Sequence, residues 1–78
     1  MREKRLYIIV TFHTTAEAMA TEKNCMKKGI EGRLITVPRV LTADCGIAWQ
    51  GHPDTRQVLE NTLNEAGIEF EGIHELEM

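Results

Sequence analysis

Residues 6–12 have to lie in the middle of a sheet. Leu6, Tyr7, Ile8, Ile9, Val10, Thr11 and Phe12 are rich in β-branched and aromatic side chains and apolar on both faces, the pattern of a strand covered on both sides. A helix start follows at once. Thr14 and Glu17 have the spacing of a capping box, in which the two side chains reciprocally satisfy backbone N–H groups of the first turn. Thr15, Ala18, Met19, Glu22 and Met26 then fall along one stripe at three- and four-residue spacing, the expected inner face of this helix. Lys27 and Lys28 suit its C-terminus, and Gly29 can take the left-handed stop.

Residues 32–37 predict a second strand, ended by Pro38, which cannot donate to a ladder. Residues 45–50 predict a third, with Cys45, Ile47 and Trp49 pointing one way and Gly46 and Ala48 the other. Gly51, His52, Pro53 and Asp54 make the next turn, with Pro53 near a helix start. Val58, Leu59, Thr62, Leu63 and Ala66 form the inner stripe of a second helix, which Gly67 stops. Residues 68–78 predict the last strand. Ile68, Phe70, Leu76 and Met78 share one of its faces, and Glu69, Glu71, Glu75 and Glu77 share the other. Ile73 breaks that pattern beside Gly72, a candidate bulge.

The order β-α-β-β-α-β is that of an α+β ferredoxin-like sandwich, with two helices on one face of a four-stranded antiparallel sheet. The first and third strands lie in the middle, and the last sits at an edge beside the first. Tyr7, Ile9 and Thr11 are expected to line the other, open sheet face, a surface suited to a homodimer contact. Pairing of the outer strands brings Glu75 and Glu77 near Arg2, Lys4 and Arg5. These read as solvated charge protecting an edge, each exposed pair adding only about 0–1 kcal/mol.

A chain of 78 residues makes a single domain over residues 1–78, with its core in roughly 5–76 and no room for a second. The net charge of −3 argues against nucleic acid as a partner. The acidity is uneven: residues 67–78 carry four Glu and no Lys or Arg, so they sum to −4 and residues 1–66 to +1. Basic residues ahead of the first apolar run superficially resemble a signal peptide. However, the run is short, His13 ends it, and no small-residue cleavage pattern follows. No apolar run approaches membrane-spanning length, so no membrane partner is expected. Two cysteines are too few for a secreted disulfide scaffold, and both read as thiols in the reducing cytoplasm. No close Cys/His pair has zinc-site spacing, so neither a metal nor a resident cofactor is expected. Glycine-rich phosphate loops and serine-nucleophile motifs are absent from the sequence.

What chemistry there is converges on residues 37–47. The third strand runs antiparallel to the first, so Cys45 and Gly46 are expected near Phe12, His13, Thr14 and Thr15. That is the N-terminus of the first helix, where free N–H groups and the macrodipole favour an anion. Arg39 leaves the second strand at the same end. A thiolate beside a helix N-terminus and a guanidinium has the surroundings that activate a cysteine. Gly46 leaves room for whatever the sulfur carries, and His13 is a candidate proton partner. Asp44 opposes this unless it points away or pairs with Arg39. The same residues also fit an inert, half-buried strand cysteine under a loop and a solvated turn histidine. Cys25, on the flank of the first helix's stripe, reads as a packing residue, and Trp49 as core.

Tyr7-Ile8-Ile9-Val10-Thr11-Phe12, the helix with Ala18 and Glu22-Lys23, and above all Val37-Pro38-Arg39 followed by Cys45-Gly46-Ile47-Ala48 form a recognisable set. Over roughly residues 5–76 it resembles the sulfur/selenium (Se/S) carrier protein-like family of small bacterial and archaeal proteins. The resemblance implies sulfur or selenium carriage, with Cys45 matching the family's cysteine and Arg39 its arginine. A persulfide or selenosulfide on Cys45 would pass from a donor protein to an acceptor protein, in a stoichiometric relay rather than a turnover enzyme. From the residues themselves, a non-catalytic module stays open: it would bind a small anion at the Arg39 loop or regulate by dimerising, with Cys45 structural. A redox pair of Cys45 with Cys25 is disfavoured, because the two are expected in different layers.

Overall fold

The computed structural model describes residues 4–41 and 45–78. Its elements run β1 (Leu6–Thr11), α1 (Thr15–Lys28), β2 (Gly32–Thr36), β3 (Ile47–Gly51), a 3-10 turn (Pro53–Thr55), α2 (Arg56–Glu65) and β4 (Gly72–Glu77). The strands form one antiparallel sheet in the order β2-β3-β1-β4. This is the ferredoxin-like α+β arrangement, with β1 and β3 central as the sequence predicts.

The local signals explain most boundaries. Thr14 caps α1 through a capping box, its hydroxyl accepting from Glu17 N at 3.2 Å while Glu17 Oε1 accepts from Thr14 N. Gly29 ends the helix at φ 71°, and Ile30 N donates back to Cys25 O at 2.9 Å, closing a Schellman-type turn. Pro53 opens the 3-10 turn that leads into α2.

Strand alternation sorts the sheet into two faces. Ile8, Val10, Phe12 and Trp49 face the helices and pack with Ala18, Cys25, Leu59 and Leu63. Trp49, the largest fully buried side chain, lies over Gly32 and Gly51. A Cβ at Gly32 would come within 2.4 Å of the indole and 2.6 Å of Gln50 O, so only glycine leaves the ring its slot. Register places Tyr7, Ile9 and Thr11 on the other face with Ala48 and Gln50. Ile9, Thr11 and Ala48 are nevertheless buried.

The structure corrects two readings of detail. The buried stripe of α1 is Ala18, Thr21 and Cys25, whereas Met19 and Met26 are 60 % and 74 % exposed. Apolarity alone favours the methionines, but the small stripe lets the helix approach a sheet already bulky with Trp49 and Phe12. Thr21 tolerates burial because its Oγ1 donates to Glu17 O at 2.9 Å. In α2 the buried set is Leu59, Thr62 and Leu63, and Val58 and Ala66 are exposed.

The last strand is also shorter than residues 68–78, beginning at Gly72. Ile68 and Phe70 pack on the core from a loop, so the alternation starts afresh. Ile73 then faces the helix side, together with Glu75 and Glu77, while His74 and Leu76 take the open face. Register with β1 is continuous from Leu6↔Glu77 to Thr11↔Gly72, with no bulge at Gly72. Among the described residues neither Lys4 nor Arg5 forms an ion pair with Glu75 or Glu77; Arg2 lies outside them. No helix among the described residues is long and apolar enough to cross a membrane.

Candidate functional site

The β2–β3 connection hangs from the end of the ladder. Val37 N donates to Gly46 O at 3.1 Å, extending the strand pairing one step beyond Thr36↔Ile47. Leu41 N donates to Pro38 O at 2.9 Å, so residues 38–41 form a tight turn with Arg39 and Val40 at its corners. Both corner side chains are exposed, and Arg39 makes no ion pair or hydrogen bond with a described residue. Asp44 lies outside the described residues.

Cys45 sits on the helix side of the sheet, half-buried and packed against the core cluster. Its Sγ donates to Ile47 O at 3.2 Å. The thiol therefore has a defined orientation in a residue that is only partly buried. Gly46 has φ +74°, in the left-handed region, and a Cβ there would meet no atom of a described residue within 4 Å. The glycine is needed for the turn of the backbone rather than for space around the sulfur.

The N-terminus of α1 is partly occupied. Glu17 Oε1 accepts from His13 N at 2.8 Å and from Thr14 N at 3.3 Å, and the Thr14 hydroxyl takes Glu17 N. This leaves Thr15 N–H, rather than Thr14 N–H, for an incoming anion, and places a carboxylate in the first turn, where it offsets the macrodipole. His13 is exposed at the strand–helix turn with Nδ1 3.7 Å from Glu71 Oε2. The capping box of Thr14 and Glu17 is the one the sequence predicts, whereas the approach of Glu71 to His13 is not. The capping-box spacing itself signals that Glu17 folds back over those N–H groups. Glu71 follows from β4 pairing with β1, as Glu71 N donates to Thr11 O at 2.7 Å.

Cys25 differs in kind. It is fully buried in α1, and burial pushes its thiol from 9.0 up to about 11. In the unfolded chain this thiol ionises near its ordinary value, so between about pH 9 and pH 11 the unfolded state binds fewer protons than the native state. Stability should therefore fall as pH rises through that window. Urea unfolding of the wild type and Cys25→Ala across this window should show the variant losing less stability with pH. Parallel profiles would mean that Cys25 is not desolvated.

Both cysteines are free thiols, and among the described residues no group of His, Cys, Asp and Glu could hold a metal ion. Residues 7–75 match the family model described as "Putative Se/S carrier protein-like". The chain belongs to that family. The match runs from β1 into β4 and takes in the Arg39 turn, Cys45 and the start of α1. No curated protein and no solved structure matches the chain. Within this Se/S carrier-like chain, the candidate residues that the strand register brings to one end of the sheet are Cys45, Gly46, the Arg39 turn, His13 and the α1 cap.

Proposed function

We propose that this protein is a stoichiometric carrier that holds a sulfane sulfur or selenium atom on Cys45. The observation that supports the reading is that Cys45, the cysteine the family resemblance points to, is only partly buried, whereas Cys25 is fully buried. In the step, a Cys45 thiolate attacks the outer sulfur of a persulfide on a donor protein. The donor's S–S bond breaks, its electron pair leaves with the donor thiolate, and a new S–S bond forms on Cys45. Transfer to an acceptor thiolate repeats the exchange, with no net oxidation. Selenium in the outer position gives a selenosulfide by the same route.

The proton of Cys45 goes to His13 or to water before the attack. Arg39, on its exposed turn, and Thr15 N–H stabilise the anionic sulfur carried at Cys45. Thr14 acts through its cap, which holds the turn, and Gly46 through its backbone.

The test is to incubate the protein with a cysteine desulfurase and cysteine, then read intact mass. One added sulfur on the wild type, absent from Cys45→Ser, is the expected result. No adduct under conditions that load a known carrier would sink the proposal. The hydrogen bond from Cys45 Sγ to Ile47 O favours a second reading, in which the thiol only packs and the Arg39 turn binds a small anion. In that case Cys45→Ser would preserve function and Arg39→Ala would not.

A further inference from the structure

The sheet face turned away from the helices carries Ile9, Ala48 and Gln50, all buried, and a cleft on it is lined by Gln50 and charged side chains. We propose that this face binds a small polyanion, a molecule carrying phosphate groups or several carboxylates, held between Lys4, Arg5 and Arg33. The site is separate from Cys45, which packs on the helix side.

These three cations line a cleft of about 760 Å³ together with Tyr7, Gln50 and Met78, and none of its described lining residues has an acidic side chain. That is unexpected in a chain of net charge −3. Strand alternation produces it: Glu75 and Glu77 share the helix side with Ile73, while Arg33 shares the open face with Gln50. Lys4 and Arg5 make no side-chain bond to any described residue. Arg33 donates only Nε, to Gln50 Oε1 at a long 3.5 Å, so its terminal N–H groups remain available. Guanidinium forks match oxyanions in a bidentate way, and converging cations repel one another until an anion sits between them.

Gln50 is 9 % exposed, and its amide nitrogen is a further donor on the floor. Tyr7 forms a wall, tilted against His52 with ring centroids 6.1 Å apart, and beyond it a smaller hollow continues to Glu31 and His52. Three charges at one cleft suit a compact ligand rather than a nucleic-acid backbone, which needs an extended basic stripe.

The full chain would be titrated with inorganic pyrophosphate and, separately, citrate, following backbone amide shifts and binding heat. The expected result is saturable binding that weakens with added salt, with shifts centred on Tyr7, Arg33 and Gln50. Arg33→Gln should weaken affinity about tenfold or more, as loss of a charge-assisted fork implies, while Cys45→Ser leaves it unchanged. The tighter of the two probes identifies phosphate or carboxylate as the ligand chemistry. Equal affinity in Arg33→Gln, or shifts centred on the Arg39 turn, would overturn the proposal. So would a free protein already dimeric through this face, with an acidic edge of the second copy in the cleft and neither anion binding.

Discussion

Trp49→Ala is expected to lower the unfolding free energy by about 3–5 kcal/mol, the range for deleting a large buried aromatic side chain. Domains of this size have about 5–15 kcal/mol in total, so the variant would lie close to unfolding at ambient temperature. The indole is 1 % exposed and fills a slot that Gly32 and Gly51 leave for it, so neighbouring backbone limits how far the cavity can collapse. Trp49→Phe should cost much less. It keeps an aromatic ring in the slot and removes Nε1, a buried donor with no partner among the described residues, whose unmet desolvation costs about 1–3 kcal/mol. Gly32→Ala tests the same contact from the other side and should destabilise by about 1–3 kcal/mol through overpacking. Urea unfolding followed by circular dichroism reads all three, since Trp49 is the sole tryptophan. A Trp49→Ala cost below about 1 kcal/mol would show that the indole is not a core residue.

The second large effect is a separation of the two thiols by reactivity. Cys25 has no exposed surface and a thiol pushed up to about 11, so it reacts only when α1 lifts from the sheet. If that opening costs about 5 kcal/mol, modification is slowed about a thousandfold or more relative to an accessible thiol. Cys45 is half-buried, and its Sγ is bonded among the described residues only to Ile47 O. Alkylation of the native protein at neutral pH, read by peptide mass, should therefore label Cys45 first and leave Cys25 untouched until denaturant is added. Equal slow labelling at both positions would remove Cys45 from consideration as a carrier thiol.

The fold was readable because each element announces itself locally. Residues 6–12 are apolar on both faces, Thr14 and Glu17 sit at capping-box spacing, Gly29 and Gly67 end their helices, and Pro38 closes β2. The errors came where side-chain size outweighed apolarity. Thr21 and Cys25 displaced Met19 and Met26 from the core because small residues seat a helix closely on a sheet. At β4, alternation was counted through a loop, and a miscounted start moves every later residue to the other face. The site was legible only to the level of an end of the sheet. Counting strands places Cys45, Arg39 and the α1 cap together. It does not say that Glu17, beyond its capping-box bond from Thr14 N, also accepts from His13 N, or that Gly46 serves the backbone. The basic cleft is not legible in the sequence because Arg33 lies far from Lys4 and Arg5 in the chain and joins them only through register.

The outward turn of Met19 and Met26 has a practical consequence for weighing this protein. Both thioethers stand in solvent, where oxidants reach them and where a sulfoxide disturbs no packing. Their oxidation should change stability little, so an unfolding curve would not report it. Two such oxygens have the same nominal mass as one sulfur atom, so an air-aged sample can imitate a loaded carrier in the spectrometer. A thiol reductant separates them: it strips a persulfide from Cys45 and leaves methionine sulfoxide in place.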